Sequence, residues 1–217
     1  MLQIVFIDTD EYQFGSELKA QMRRIIEAAD KEVRVLLPKL STRMTVTVHP
    51  TDQIIPETGE VGRAMDKNWI SYFIDPNHKI PIEKIVDNSL RETYFHEASH
   101  CARYITQEWG VSIVFDAIFE GLGCVFERDY ADGTPPWGEY DPNVIGEWTQ
   151  ELLALKSEGL DKDAWLFKLP DGRRWVAYRV GTYIVDQALK NNPNETAATL
   201  NKKSAEAILK MSQVARA

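Results

Sequence analysis

Two histidines and a glutamate stand close together in the chain at His96, Glu97 and His100, in the pattern H-E-x-x-H. If this run is helical, the two histidines lie one turn apart on one face. Two imidazoles at that spacing can bind one zinc ion, and Glu97 beside them could take a proton from a water on the metal. The pattern predicts a zinc site with its own base. A buried core helix with two hydrogen-bonded histidines is the competing interpretation.

A hydrolytic zinc site usually takes three protein ligands and keeps a fourth position for water. The best third candidate is Glu120, which lies in an apolar, helical stretch downstream of the motif. A carboxylate in apolar surroundings needs a cation or donors to offset its desolvation, and zinc would supply that. An interruption of the helical pattern at Trp109 and Gly110 would let this second helix turn back toward the first. The sequence therefore predicts His96, His100 and Glu120 as the metal ligands, with Asp116 and Glu127, one and two turns from Glu120, as alternatives for the third.

These residues resemble the gluzincin metallopeptidases, in which a Glu ligand follows the second histidine of H-E-x-x-H by about twenty residues on the next helix. More closely, HEASH, then FEGLGCVFE and later YRVGTYIV resemble bacterial domains described only as predicted zinc-dependent proteases. Many gluzincins carry an Asp one turn after the Glu ligand, which supports the first histidine, but here that position is Cys124. Asp116 and Glu127 are the candidates to take over that supporting role.

The resemblance also implies a second donor to the developing oxyanion, from a Tyr, His or Arg well downstream of the ligands. Tyr178 is the candidate, three residues before Gly181, where a small residue would allow close helix packing. Arg179 points elsewhere on the same helix and is the weaker candidate. The alternative for Tyr178 is a core tyrosine bonded to a backbone carbonyl.

Composition excludes several other classes of protein. The chain has 217 residues and a formal net charge of −8, which argues against a nucleic-acid or anionic-membrane partner. No apolar run is long enough for a membrane span, and the start lacks the features of a signal peptide, so we expect a cytoplasmic protein. The two cysteines, Cys101 and Cys124, are expected to be buried and reduced rather than disulfide-bonded or zinc-binding.

Periodicity predicts an α+β fold, with a small N-terminal sheet packed with helices and a mostly helical C-terminal half. The predicted strands are 2–7, 44–49 and 69–74, with a helix at 11–35 and a loop at 50–62. Helical stretches follow from 82 to the motif helix, and at 112–130, 143–155, 160–169, 174–190 and 203–213. In gluzincin-like folds an edge strand beside the motif helix holds extended substrates, and Trp69–Ile74 is the candidate here.

These predictions combine into one zincin-like catalytic domain over residues 1–217. Residues 1–130 would supply the sheet and the metal-site helices, and residues 131–217 a helical subdomain on the other side of a cleft. The predicted function is a zinc-dependent hydrolase, preferably a metallopeptidase that acts on a peptide or protein, with Glu97 as general base. A zinc hydrolase of a non-peptide amide or ester, or a non-catalytic metal-holding binding protein, remains an alternative.

Overall fold

The computed structural model describes residues 1–104, 109–156 and 158–214. The chain divides into two compact units, Met1–Ile105 and Thr106–Ala217. The first unit contains a sheet and two long helices, and the described part of the second is helical apart from one isolated bridge. The mixed α+β class with an N-terminal sheet is therefore confirmed. The predicted single domain with a boundary at residue 130 stays a prediction.

The first unit is a four-stranded sheet with two helices. Its elements are β1 (Leu2–Phe6), α1 (Ser16–Leu36), β2 (Met44–Pro50), β3 (Glu60–Asp66), β4 (Trp69–Ile74) and α2 (Ile82–Arg103). The strand order is β1-β2-β4-β3. β2 is parallel to both β1 and β4, whereas β3 runs antiparallel to β4 and forms one edge. Alternate residues of the central strands are buried, among them Val46, Val48, Ile70, Tyr72 and Ile74.

A buried polar contact links α2 to α1. The hydroxyl of Tyr94 donates to Asp30 Oδ1 at 2.7 Å, and Arg34 forms an ion pair with Asp30 Oδ2 at 2.8 Å. Burial raises the pKa of Tyr94, and the hydrogen bond to Asp30 raises it further. A buried hydroxyl and carboxylate that satisfy each other stabilise one specific packing. This contact lies immediately before the H-E-x-x-H motif and therefore helps to orient the helix that carries it.

The second unit consists of six described helices. They are α3 (Ile113–Ala131), α4 (Ile145–Leu153), α5 (Lys162–Leu166), α6 (Val176–Asn191), α7 (Ala197–Leu200) and α8 (Ala205–Ser212). α3 packs against α6, and α6 also packs against α4 and α8. No helix of the described residues is long and apolar enough to cross a membrane.

Most predicted elements are confirmed, with four corrections. α1 begins at Ser16, because residues 8–14 form a loop in which Asp8 accepts from the Phe14 N–H. α7 was not predicted, and neither was β3, which begins inside the predicted loop. The prediction that Trp69–Ile74 is the edge strand is wrong, since β4 lies between β2 and β3. Because β3 was not predicted, β4 had no second neighbour in the predicted sheet.

Candidate metal centre

The H-E-x-x-H turn is buried on every side. All residues from Tyr94 to Cys101 are buried, and three polar members, His96, Glu97 and His100, are each less than 8% exposed. A helix buried all round is normally apolar, because buried polar groups must find partners. Three chemically active side chains in such a place therefore indicate a functional turn.

The two histidines face each other as the spacing predicts. The ring centroids of His96 and His100 are 4.6 Å apart, and the rings are nearly perpendicular at 85°. The i,i+4 positions of α2 place both rings on one face. This pair forms entirely within one helix, so the local sequence determines its geometry.

Glu97 projects beside this pair and contacts the edge strand. Its Oε2 accepts a hydrogen bond from the Ala64 N–H at 2.6 Å. Gly62 lies two residues before Ala64, on the same side of the strand. A Cβ at Gly62 would lie 2.6 Å from Glu97 Cγ. Sequence reasoning missed both strand residues because it assigned residues 50–62, and with them Gly62, to a loop and predicted no element for residues 63–68, which include Ala64. The alternation of small residues at 62 and 64 with larger ones at 61, 63 and 65 is the signal that could have revealed them.

The start of α3 is held by a buried ion pair. The Ser112 hydroxyl caps the helix by accepting from the Phe115 N–H at 3.2 Å. Asp116, only 1% exposed, accepts from the Gly110 N–H at 2.6 Å and from Lys162 Nζ at 3.0 Å. Gly110 has a φ of +81°, which glycine adopts without strain. Both Asp116 oxygens therefore accept hydrogen bonds within the second unit, one from Gly110 before α3 and one from Lys162.

Glu120 lies on α3 in a stretch that is buried from Asp116 to Glu127. It is 7% exposed. The next residue, Gly121, faces α6 so closely that a Cβ there would lie 2.0 Å from the carbonyl carbon of Gly181. A Cβ on Gly181 would lie 1.7 Å from the Ala117 carbonyl oxygen. Two facing glycines thus allow the α3 and α6 backbones to touch beside Glu120.

Among the residues that the structure describes, one group of three side chains has the composition and proximity of a metal site. It consists of His96, His100 and Glu120, whose possible ligand atoms all lie within 4.8 Å of one another. All three are buried. Two imidazoles and one carboxylate form a ligand set that is typical of catalytic zinc. The predicted ligands therefore fit zinc in type, number and proximity.

Tyr178 and Arg179 point in different directions from α6. Tyr178 is half-buried, and its ring lies edge-on to Trp175 with centroids 5.8 Å apart. It precedes by one turn Gly181, which packs on α3. The Arg179 guanidinium donates to the Pro136 carbonyl at 3.3 Å, toward the loop that follows α3. Tyr178, rather than Arg179, therefore lies on the side of α6 that faces α3.

The two cysteines are free and buried. Burial raises the pKa of the Cys101 thiol, and the Glu97 carboxylate raises it further. Burial likewise raises the pKa of Cys124 well above its usual range, with the Glu127 and Glu120 carboxylates adding to the effect. Neither cysteine belongs to the group of possible metal ligands found among the described residues.

The remaining histidines hold positions outside the group. His78 stabilises a turn, with Nε2 3.0 Å from the Pro56 carbonyl and Nδ1 accepting from the Ile80 N–H. His49 stacks on Phe73 with ring centroids 5.0 Å apart. Both histidines therefore have contacts within the first unit and do not belong to the group of His96, His100 and Glu120.

Comparison with protein families gives a match over most of the chain. No curated protein and no solved structure matches the chain. A family model described as predicted Zn-dependent protease (DUF2268) matches residues 14–210, which include every candidate metal ligand. The chain therefore belongs to this family of predicted Zn-dependent proteases.

Proposed function

We propose that the protein is a zinc metallopeptidase in which His96, His100 and Glu120 hold the ion. The observation that carries this proposal is the grouping of these three buried side chains, with ligand atoms within 4.8 Å of one another. Three protein ligands leave a fourth position for water, as hydrolysis requires. The match to a family of predicted Zn-dependent proteases supports the same reaction class.

A zinc ion at this position would supply the Lewis acidity that activates water and polarises a peptide carbonyl. Glu97 is the proposed general base, one residue after a ligand and within the buried turn. Its carboxylate takes one proton from the water as the water oxygen bonds to the carbonyl carbon. The same carboxylate then delivers that proton to the amine as the C–N bond breaks. A peptide or protein is the proposed substrate.

Tyr178 is the proposed donor to the carbonyl oxygen as negative charge develops on it. Tyr178 lies one turn before Gly181, on the face of α6 that packs on α3. This position supports the role. A hydroxyl aimed at a developing oxyanion contributes more in the transition state than in the ground state. Tyr178 should therefore affect turnover more than substrate binding.

The experiment combines metal analysis with hydrolysis by the purified 217-residue chain. We expect about one zinc per chain by elemental mass spectrometry, and cleavage of a mixed peptide library that stops with a chelator and returns with zinc. His96→Ala should lose both zinc and cleavage. The matched control is His78→Asn, at a histidine that stabilises a turn, which should keep both.

The alternatives give different results. Cleavage of small esters or non-peptide amides, with no peptide in the library cut, would indicate another zinc hydrolase. Bound zinc without turnover on any of these substrates would indicate a metal-holding binding protein. Absence of any transition metal, even after refolding with zinc, would contradict the site itself.

A further inference from the structure

The edge strand β3 and the motif helix α2 run alongside each other in matching steps. Glu60 Oε2 accepts from the Thr93 hydroxyl at 3.1 Å. Ala64 donates to Glu97, and the Cys101 thiol donates to the Asp66 carbonyl at 3.2 Å. Two strand residues advance about 6.6 Å and four helix residues about 6 Å, so such a pairing can continue for several turns. β3 therefore follows the helix face that carries Glu97.

Gly62 is the point of closest approach within this pairing. A Cβ at Gly62 would lie 2.4 Å from Thr93 Cγ2, 2.6 Å from Glu97 Cγ and 3.0 Å from Glu97 Oε1. Every one of these atoms belongs to a side chain. A larger residue at 62 could be accommodated by rotation of these side chains, which would displace the Glu97 carboxylate without breaking the helix.

The Ala64 N–H holds the other side of the same carboxylate. Its bond to Oε2 is 2.6 Å long, which is short for an N–H···O hydrogen bond. The strand is irregular immediately after this point, with a register shift between Ala64 and Asp66. Bulges of this kind commonly redirect groups beside active sites. The Ala64 N–H binds the Glu97 carboxylate, and the absence of a side chain at Gly62 leaves space for it. Together they restrict where this carboxylate can lie.

We infer that Gly62 and Ala64 are positioning residues that fix the Glu97 carboxylate for proton transfer. This inference rests on the proposed role of Glu97 as general base. A base must be held within hydrogen-bond reach of its proton, and small displacements cost large factors in rate. The edge strand would then contribute to turnover through the orientation of Glu97, separately from any contact that it makes with a substrate.

The first test is Gly62→Ala, measured in the zinc-loaded chain. We expect kcat to fall about tenfold or more while KM stays within about twofold and zinc content is unchanged. Gly146→Ala is the matched control, because nothing lies within 4 Å of a Cβ at that glycine, and it should leave kcat unchanged. A Gly62→Ala variant with normal kcat would overturn the inference.

A double variant separates displacement of the base from simple crowding. Thr93→Ser removes Cγ2, the atom nearest to the new Cβ, and keeps the hydroxyl that donates to Glu60. Because the contact with Glu97 Cγ remains, the Gly62→Ala/Thr93→Ser chain should stay as impaired as Gly62→Ala alone. Recovery of the wild-type kcat would show that only packing against Thr93 mattered and would overturn the inference.

Hydrogen exchange of the Ala64 amide tests the contact without any activity measurement. Glu97→Ala removes the acceptor, so this amide should exchange at least about tenfold faster in nitrogen-15-resolved spectra. The control is Glu83→Ala, at an exposed glutamate in the first turn of the same helix, with no change expected at Ala64. An unchanged Ala64 amide in Glu97→Ala would overturn the inference. An inactive wild-type chain would instead overturn the proposed function.

Discussion

Each of the two helices that carry the candidate ligands packs closely against a neighbouring element at a glycine. The atoms that these glycines face are different in the two contacts. On α3, Gly121 faces the Gly181 backbone, and a Cβ on either would overlap main-chain atoms at 2.0 Å or less. Along α2, Gly62 of the edge strand faces the side chains of Thr93 and Glu97. Main-chain atoms of two packed helices cannot move independently, whereas side chains can rotate. The first contact should therefore determine stability and the second turnover.

Gly181→Ala tests the backbone contact and should have the largest effect. A Cβ placed 1.7 Å from the Ala117 carbonyl oxygen forces α3 and α6 apart. We expect the free energy of unfolding to fall by about 3 kcal/mol or more, at the upper end for overpacking. Denaturant unfolding measures it, with Gly146→Ala as the control that should be neutral or slightly stabilising. A loss below about 1 kcal/mol would remove the contrast between the two glycine contacts.

Glu120→Ala tests whether this helix contact serves the metal. If the facing glycines place Glu120 as a ligand, zinc affinity should fall by more than about 100-fold, beyond the usual cost of losing a residue that only orients a ligand. Asp116→Asn is the control, since the Asp116 oxygens bind Gly110 and Lys162. Zinc affinity, by competition with a chelating dye, should change less than tenfold in that control. The opposite ranking would make Asp116 the ligand.

Tyr178→Phe tests the other side of the α3 and α6 contact. If the hydroxyl serves the transition state, kcat should fall about 100-fold while zinc content and thermal stability stay unchanged. The control is Tyr183→Phe on the same helix, whose ring lies edge-on to Tyr140 at 5.5 Å. Normal turnover in Tyr178→Phe, or a loss of stability alone, would show that Tyr178 is a packing residue.

Lys162→Met tests the buried pair that holds the start of α3. The Asp116 carboxylate would keep the Gly110 N–H but lose its cation, and Lys162 is itself 26% exposed at the side chain. We expect a loss of about 2 kcal/mol in unfolding free energy, below the cost of breaking a fully buried pair, with zinc content unchanged. Lys168→Met, at an exposed lysine, is the control. A variant of normal stability that loses zinc would show that this pair supports the metal site and not the fold.

Features that depend on residues close together in the chain could be predicted from the sequence, whereas features that depend on distant partners could not. His96 and His100 follow from spacing within one helix, and the central strands follow from their alternation. β3 was missed because Gly62 and Ala64 have low strand propensity and depend on pairing with β4. The error about the edge strand followed directly, since an edge is defined by its neighbours.

Long-range partners account for the features of the site that the sequence could not decide. Asp116 could not be separated from Glu127 by position on α3, because its partner Lys162 lies 46 residues further along the chain. The contact between Ala64 and Glu97 spans 33 residues and involves a backbone N–H, which no residue type reveals. Chemistry that depends on spacing within a helix was therefore predictable, and the contacts that orient it were not.

Glu97→Gln tests the central claim most directly, because it preserves the shape of the side chain and removes the base. We predict about one zinc per chain in both the wild type and the variant by elemental mass spectrometry. Peptide cleavage by the variant, measured on the same zinc-loaded samples, should be at least about 100-fold slower. Equal turnover in the two chains would contradict Glu97 as the base and, with it, the account of this protein as an H-E-x-x-H metallopeptidase.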